Sequence, residues 1–517
     1  MIHRNIDVIA LGLSGIEGAN RDTLTNVSDQ STPEESLGDL SPKAIVHASP
    51  DATEPEEASV IDAAEAAAEE EARAVYSEIL GRNPEHDFDP TIDRVVSLME
   101  LLGEPQHAFR AIHITGTNGK TSAARMIESL LRELGLRTGR FTSPHLHTVR
   151  ERIAIDGDPI PATRFVEVWR DIEPYVNMID AELQGRGESR LSFFEVLTGL
   201  AYAAFADTPV DVAVIEVGMG GEWDSTNVVD GDVAVFTPIA RDHDKWLGST
   251  LTQIAGIKAG IIKPIAGDQV VITARQPEEV EPVIAAKAQA EGARVVAEGY
   301  DMSVADRQVA VGGQLLSLQT PAATYTEIFL PLLGPHQSQN ALLSLAAVEA
   351  FLGGGALPGD VVEAGFGAVT SPGRLELVRS SPTVIVDAAH NPAGAHVLAE
   401  AIEETFNFSR LIAVVGVMAD KDADGIFAEL EPLVDEVVIT QSASMRSMDP
   451  ADLADIARDT FDAEDVHEAA SLPDAIATAV DLAEQGQADA IASGTGVIVA
   501  GSIILAADVR ALFGLGN

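Results

Sequence analysis

The chain has 517 residues, a formal net charge of −48 and no cysteine. The length exceeds one ordinary domain, and the missing cysteine excludes a disulfide framework, a thiolate metal site and a cysteine nucleophile. So acidic a chain disfavours nucleic acid and anionic membrane surfaces as partners, and no uninterrupted apolar run of about 18 residues offers a membrane span.

Residues 1–72 read as an acidic, disordered tail. They are rich in Ser, Thr, Asp, Glu and Pro and end in Glu69-Glu70-Glu71, with at most a transient helix from Ile61. The apolar segment 6–13 is short and interrupted by Asp7, so no signal peptide is expected, which together with the missing cysteine fits a cytoplasmic protein. Order is expected from Arg73, where Val75, Ile79 and Leu80 carry helical spacing.

From Phe109 strands and helices alternate. The pattern predicts strands over 111–114, 210–217 and 233–237, helices over 120–134, 193–205 and 251–262, and a hairpin about Asp156-Gly157. This is the grammar of a mostly parallel sheet with helices on both faces. Pro and Gly in 330–335 suggest a boundary at Gly334, and strands over 384–387, 411–417 and 436–440 repeat the grammar beyond it. The expectation is an α/β protein: a P-loop domain over 73–333, then a smaller Rossmann-like α/β domain over 334–517.

Gly116-Thr117-Asn118-Gly119-Lys120 follows a strand and opens a helix. In that setting the two glycines let backbone N–H groups approach phosphate, and the helix N-terminus adds positive potential. Lys120 suits the outer phosphates, and the hydroxyl of Thr121 or Ser122 suits Mg²⁺. The spacing is shorter than the common G-x-x-x-x-G-K-[ST], which points away from ordinary kinases and switch GTPases. Glu216 ends an apolar strand and would project from the sheet's carboxyl edge, where such folds bind ligands.

With its flanks, this loop resembles that of the folylpolyglutamate synthases and their relatives, the Mur ligases. Further segments favour the folate branch: Thr142-Ser-Pro-His-Leu146 with Arg150-Glu-Arg-Ile153, Ser192-Phe-Phe-Glu195, Glu216-Val-Gly-Met-Gly-Gly221 with Asp224-Ser-Thr-Asn227, and Asp242-His243 with Lys258-Ala-Gly-Ile261. Beyond them come Asn340-Ala341, Pro372-Gly-Arg374, Asp387-Ala-Ala-His-Asn-Pro392 and Gly501-Ser502. The resemblance runs from about residue 75 to the C-terminus. The chain departs from the family pattern at Thr121 (usually Gly), Glu222 (commonly Arg), Ile257 (usually Glu) and Ile504 (often aromatic).

The resemblance implies an ATP-dependent amide ligase that adds L-glutamate to dihydropteroate, to reduced folates or to both, through an acyl phosphate, in a monomer. It implies an ATP site of residues 116–122 with Asn340 near the base or sugar and Arg374 and Asp387 reaching across from the second domain. Ser143, Glu216, His243 and a carbamylated Lys258 would ligate one or two Mg²⁺ ions, although the residues alone leave Mn²⁺ equally open. His390 is placed near the glutamate, and Phe193, Phe194, Glu195 and Ser502 near substrate. A Mur-type cell-wall ligase is the nearest alternative, but a folded uridine-binding domain should then precede the P-loop. A regulatory P-loop ATPase is a third reading, and it has no need of the Asp242-to-Ile261 segment or of Arg374.

Overall fold

The computed structural model describes residues 55–82, 90–265, 269–485 and 494–516. The expected tail lies outside the described residues as far as residue 54. The helix Pro55–Leu80 then runs through the expected start of order at Arg73. Its Ala72, Val75 and Ile79 are buried in one core with Leu98, Trp169 and Phe193, and Glu69 and Glu71 pair with Arg150 and Arg170. The tail reading is therefore corrected for residues 55–72: burial of one helical stripe, together with partners for the acidic side chains, orders a segment whose composition alone suggested solvent.

The first sheet has eight strands, in the order Asp158–Pro159, Ile153–Ile155, Thr138–Phe141, Val212–Glu216, Arg110–Thr115, Gly231–Phe236, Val270–Thr273 and Arg294–Ala297. The last six are mutually parallel, and the first two make the hairpin, turning on Asp156 and Gly157 with φ of 51° and 92°. Central strands such as Val212–Glu216 are buried along their whole length. That double burial explains why they read as continuous Val, Ile and Ala rather than as alternation. Helix Lys120–Glu133 follows the central strand and ends before Gly135, whose φ is 77°.

A three-stranded antiparallel sheet, Ser303–Ala310, Gly313–Gln319 and Thr324–Leu330, was not foreseen. It lays Leu316, Leu318, Tyr325 and Ile328 into the core of the first half. Helix Pro335–Phe351 lies in that same core, with Leu342, Leu343 and Leu345 fully buried beside Ile112, Ile114 and Leu130. The expected division at Gly334 therefore needs correction. Gly334 (φ 93°) and Pro335 start a helix that packs on Lys120–Glu133, and the second sheet begins only at Glu376.

That second sheet orders its six strands Glu376–Ser380, Thr383–Val386, Gly494–Ala500, Phe408–Val415, Glu436–Ile439 and Val466–Glu468, parallel except for the first. Leu411, Ala413 and Val415 face helices Pro392–Thr405, Ala423–Leu430 and Pro450–Ala457, while Ile412 and Val414 face Leu472–Gln485 and Ile503–Leu512. The alternation of the strand thus fills two cores at once, as in a doubly wound α/β layer. Among the described residues no helix is long and apolar enough to cross a membrane.

Candidate active site

The carboxyl ends of the first sheet open into a cleft of about 1400 Å³. The loop 116–119 forms its floor. Gly116 has φ 141°, and a Cβ there would run into the Thr237 hydroxyl; Gly119 has φ 89°, and a Cβ would lie 2.6 Å from Asn340 Oδ1. The loop is braced from three sides. Thr117 N–H donates to Pro238 O at 3.0 Å and its hydroxyl to Ala240 O at 2.9 Å, Lys258 Nζ donates to Gly116 O at 2.7 Å, and Asn340 abuts Gly119.

Lys120 folds its ammonium onto the loop, donating to Gly116 O at 3.2 Å and Thr117 O at 3.0 Å. Burial lowers its pKa, against the opposing pull of Glu216 and Asp242. Glu216 is buried at the end of its strand and accepts from the Thr121 hydroxyl at 2.9 and 3.1 Å and from Ser143 N–H at 3.3 Å. Burial raises its pKa, and Lys120 counters that rise. Ser122 instead bonds Ser371 at 3.0 Å, turned into the seam between the halves.

Glu216 with Thr121 supplies hard oxygen donors directly beside the phosphate loop, which fits a divalent cation completed by phosphate and water oxygens. Ser143 reaches this pair through its backbone N–H. Lys258 bonds Gly116 and His243 lies beside Asp242, so neither is hydrogen-bonded to Glu216. Among the described residues, no three of His, Asp and Glu converge as a ready-made metal cluster. Burial brings the Lys258 amine down to about 7, and the Lys120 charge assists.

The second half closes the cleft. Arg374 follows Gly373 (φ 69°) and puts its charge near Lys120, Glu216 and Asp387. Asp387 accepts from Leu375 N–H at 2.8 Å and Ala389 N–H at 2.7 Å, so it shapes the very loop that presents Arg374. Burial raises its pKa, opposed by Arg374. His390 Nδ1 lies 2.9 Å from Ala388 O, and its Nε2 lies 3.7 Å from Asp242 Oδ2.

At the other end the cleft is aromatic and cationic. Tyr76 packs edge-on to His145 and Phe193, Phe194 stacks on Phe141 at 5.6 Å, and Arg152 lies over Phe193. Glu195 lines the cleft and also has a local structural task. It closes a capping box with Ser192 and binds Arg94 at 2.8 Å. The Ser502 hydroxyl likewise caps the last helix, accepting from Ile504 and Leu505 N–H. Asn340 is buried against the phosphate loop, on the wall of the same cleft.

Sequence reasoning missed the site roles of Asp242, Asn391 and Lys421. Lys421 Nζ donates to Asp242 Oδ1 at 2.5 Å, and Asn391 Nδ2 donates to Asp242 Oδ2 at 3.1 Å. Asp242 and Asn391 stand in segments already quoted for the resemblance, and the further signal is position, since Asn391 and Lys421 follow strand ends at the carboxyl edge of the second sheet. Two departures from the family pattern also find a physical setting. Glu222 N–H bonds Ile257 O at 2.9 Å, and a Cβ on Gly260 would run into Glu222, so these segments meet through backbone rather than through the replaced side chains.

Comparison with known proteins follows the same outline. The family model of the Mur ligase middle domain matches residues 114–348, and that of the Mur ligase glutamate ligase domain matches residues 373–503. The chain is 50% identical over 447 residues, 84% of its length and 92% of the other's, to the dihydrofolate synthase/folylpolyglutamate synthase of Mycobacterium tuberculosis. It is 34% identical to the Bacillus subtilis protein of the same name over 73% of its length and 85% of the other's. Among solved structures, Mycobacterium tuberculosis folylpolyglutamate synthase complexed with ADP superposes with a TM-score of 0.83 at 48% identity, covering 86% of this chain and 99% of that one. E. coli FolC in complex with DHPP and ADP superposes with a TM-score of 0.71 at 29% identity, covering 86% and 97%.

Proposed function

The chain belongs to the Mur ligase family, in its dihydrofolate synthase/folylpolyglutamate synthase branch, and on that premise we propose that its cleft joins L-glutamate to a folate-type carboxylate. It is an ATP-dependent acid–amino-acid ligase. The observation that carries the reading is the single cleft in which phosphate loop, aromatic lobe and second-half residues Arg374, Asp387 and His390 meet.

The chemistry begins with transfer of the ATP γ-phosphoryl group to the substrate carboxylate, which gives an acyl phosphate and ADP. The glutamate amine then attacks the acyl carbon, releasing phosphate and forming the amide. Triphosphate and carboxylate repel one another: two like charges about 4 Å apart cost roughly 4 kcal/mol at an effective dielectric of 20. Lys120, Arg374 and the loop N–H groups offset that repulsion from opposite walls of the cleft. Glu216 and Thr121, with Ser143 and His243 nearby, are the residues that would hold Mg²⁺, whose chemistry when bound is to neutralise phosphate charge.

A Lys258 amine titrating near 7 is largely neutral in mildly alkaline solution, the form that reacts with CO₂ to give a carbamate and a proton. A carbamate at this position would turn that amine beside the loop into an oxygen-bearing anion suited to a divalent ion. The aromatic lobe of Tyr76, Phe193 and Phe194 suits a flat ring, and Arg94 and Arg152 suit its anionic substituents. Asn340 acts from its seat against Gly119, and Asp387 acts by holding the Arg374 loop.

The test is ADP release measured with and without glutamate, using dihydropteroate or a reduced folate as acceptor, with products identified by mass spectrometry. Glutamate-dependent ADP release and an amide product are expected with at least one acceptor. ADP release indifferent to glutamate, with no amide formed, would overturn the reading.

A further inference from the structure

Asp242 is the meeting point of both halves. Its Oδ1 accepts from Lys421 Nζ at 2.5 Å and from His243 N–H at 2.8 Å, and both side chains of the Lys421–Asp242 pair are only 10% exposed. Its Oδ2 accepts from Asn391 Nδ2 at 3.1 Å. Asn391 in turn exchanges two hydrogen bonds with Asn118 of the phosphate loop, at 3.1 and 3.2 Å, and caps its own helix through Gly394 N–H. One carboxylate thus ties the turn 242–243, the phosphate loop and the second sheet together. The turn needs such a tie, because His243 sits in the left-handed region with φ 57°.

We propose that Lys421 is a positioning residue for the ligation: by pairing with Asp242 it fastens the second half onto the phosphate loop and fixes the turn that carries His243. The charge argument runs the same way. Without Lys421, a mostly buried carboxylate would face the phosphates as one more anion, and His390 is its only other potential counter-charge from the second half within 4 Å among the described residues. With its Nζ bonded to Asp242, Lys421 acts on the reaction through Asp242. The proposal rests on the ligase reading above, so its test uses the same assay with the unsubstituted protein as control.

Four variants decide it: Lys421→Met, Lys421→Arg, Asp242→Asn, and Lys421→Met with Asp242→Asn. Lys421→Met is expected to lower kcat roughly 10- to 100-fold, as misplaced reacting groups do, while the KM for glutamate stays within about threefold. The double variant should be no slower than the slower single variant, because both break the same contact, and Lys421→Arg should recover part of the rate. If Lys421→Met does not fold, the double variant, which leaves no unpaired charge, and the Arg variant carry the comparison. A glutamate KM raised about tenfold or more at unchanged kcat would make Lys421 a substrate ligand and overturn the proposal. So would multiplicative losses in the double variant, or an unchanged kcat in Lys421→Met. An unsubstituted protein that makes no amide would instead overturn the ligase reading.

Discussion

Replacing Lys120 by Met keeps most of the apolar stem and removes the charge and the ammonium's N–H donors. The ammonium is bonded to two loop carbonyls, Gly116 O and Thr117 O, and its charge also offsets the burial of Glu216. Glu216 keeps its bonds from Thr121 and Ser143. Burial already lowers the Lys120 pKa, which means that the folded chain holds the charged amine less comfortably than the unfolded chain does. That relief and the lost neutralisation of Glu216 oppose one another, so the melting temperature should change little. Activity should. A unit charge about 4 Å from the transferring phosphate contributes roughly 4 kcal/mol at an effective dielectric of 20, and at about 1.4 kcal/mol per factor of ten this is roughly a 10³-fold loss in kcat. The assay is glutamate-dependent ADP release at saturating ATP, beside a thermal melt. A folded Lys120→Met protein with kcat within about tenfold of the original would refute the assignment, and a raised KM for ATP at unchanged kcat would show that the lysine only holds the ground state.

Gly119→Ala places a Cβ at φ 89° and 2.6 Å from Asn340 Oδ1; a left-handed non-glycine costs about 1–2 kcal/mol before the contact is counted, so urea unfolding should move to lower concentration and ATP turnover should drop, and unchanged values for both would refute the close approach. Lys258 titrates near 7 in the fold against an ordinary 10.5, so between these limits the unfolded chain binds more protons and stability rises with pH, with no contribution to the slope below about 7. Urea titrations in CO₂-free buffer should show that slope in the original protein and not in Lys258→Met, and identical slopes would count against a buried, free amine. Removing residues 1–54 should leave activity within a few-fold, whereas removing 1–72 should destabilise the protein, because it deletes buried Ala72 and the partners of Arg150 and Arg170. Equal melting temperatures for the two truncations would contradict the docking of that helix.

What was legible in the sequence was local. Gly116 and Gly119 announce a loop that no side chain fits, and Glu216 ends a run apolar enough to be a buried strand, so floor and carboxylate could be placed from short segments. The double winding of the second half was legible for the same reason, since strand runs such as 411–415 are long and apolar. The misreadings came from contacts distant in the chain. Residues 55–72 look solvated until Arg150 and Arg170 supply partners for Glu69 and Glu71. Gly334-Pro335 looks like a linker until helix Pro335–Phe351 is seen against Ile112 and Leu130. Lys421 and Asp242 stand 179 residues apart, and no periodicity connects them. Glu195 carries a second, local meaning: Ser-Phe-Phe-Glu is itself a capping-box pattern before an apolar run, readable beside the substrate role that the resemblance implied.

The position of helix Pro335–Phe351 also decides where this protein can be divided. A gene split at residue 334 would give one fragment with a bare apolar groove along Lys120–Glu133 and another with an orphaned helix that is buried along most of its length in the whole protein, both prone to aggregate. The tolerable cut lies after that helix and its successor Gly359–Gly367, in the short stretch before Glu376 where one layered core has ended and the next has not begun. Complementation of two separately expressed pieces, or exchange of the second half with that of a relative, would have to respect this joint and carry Ser371 with its partner Ser122.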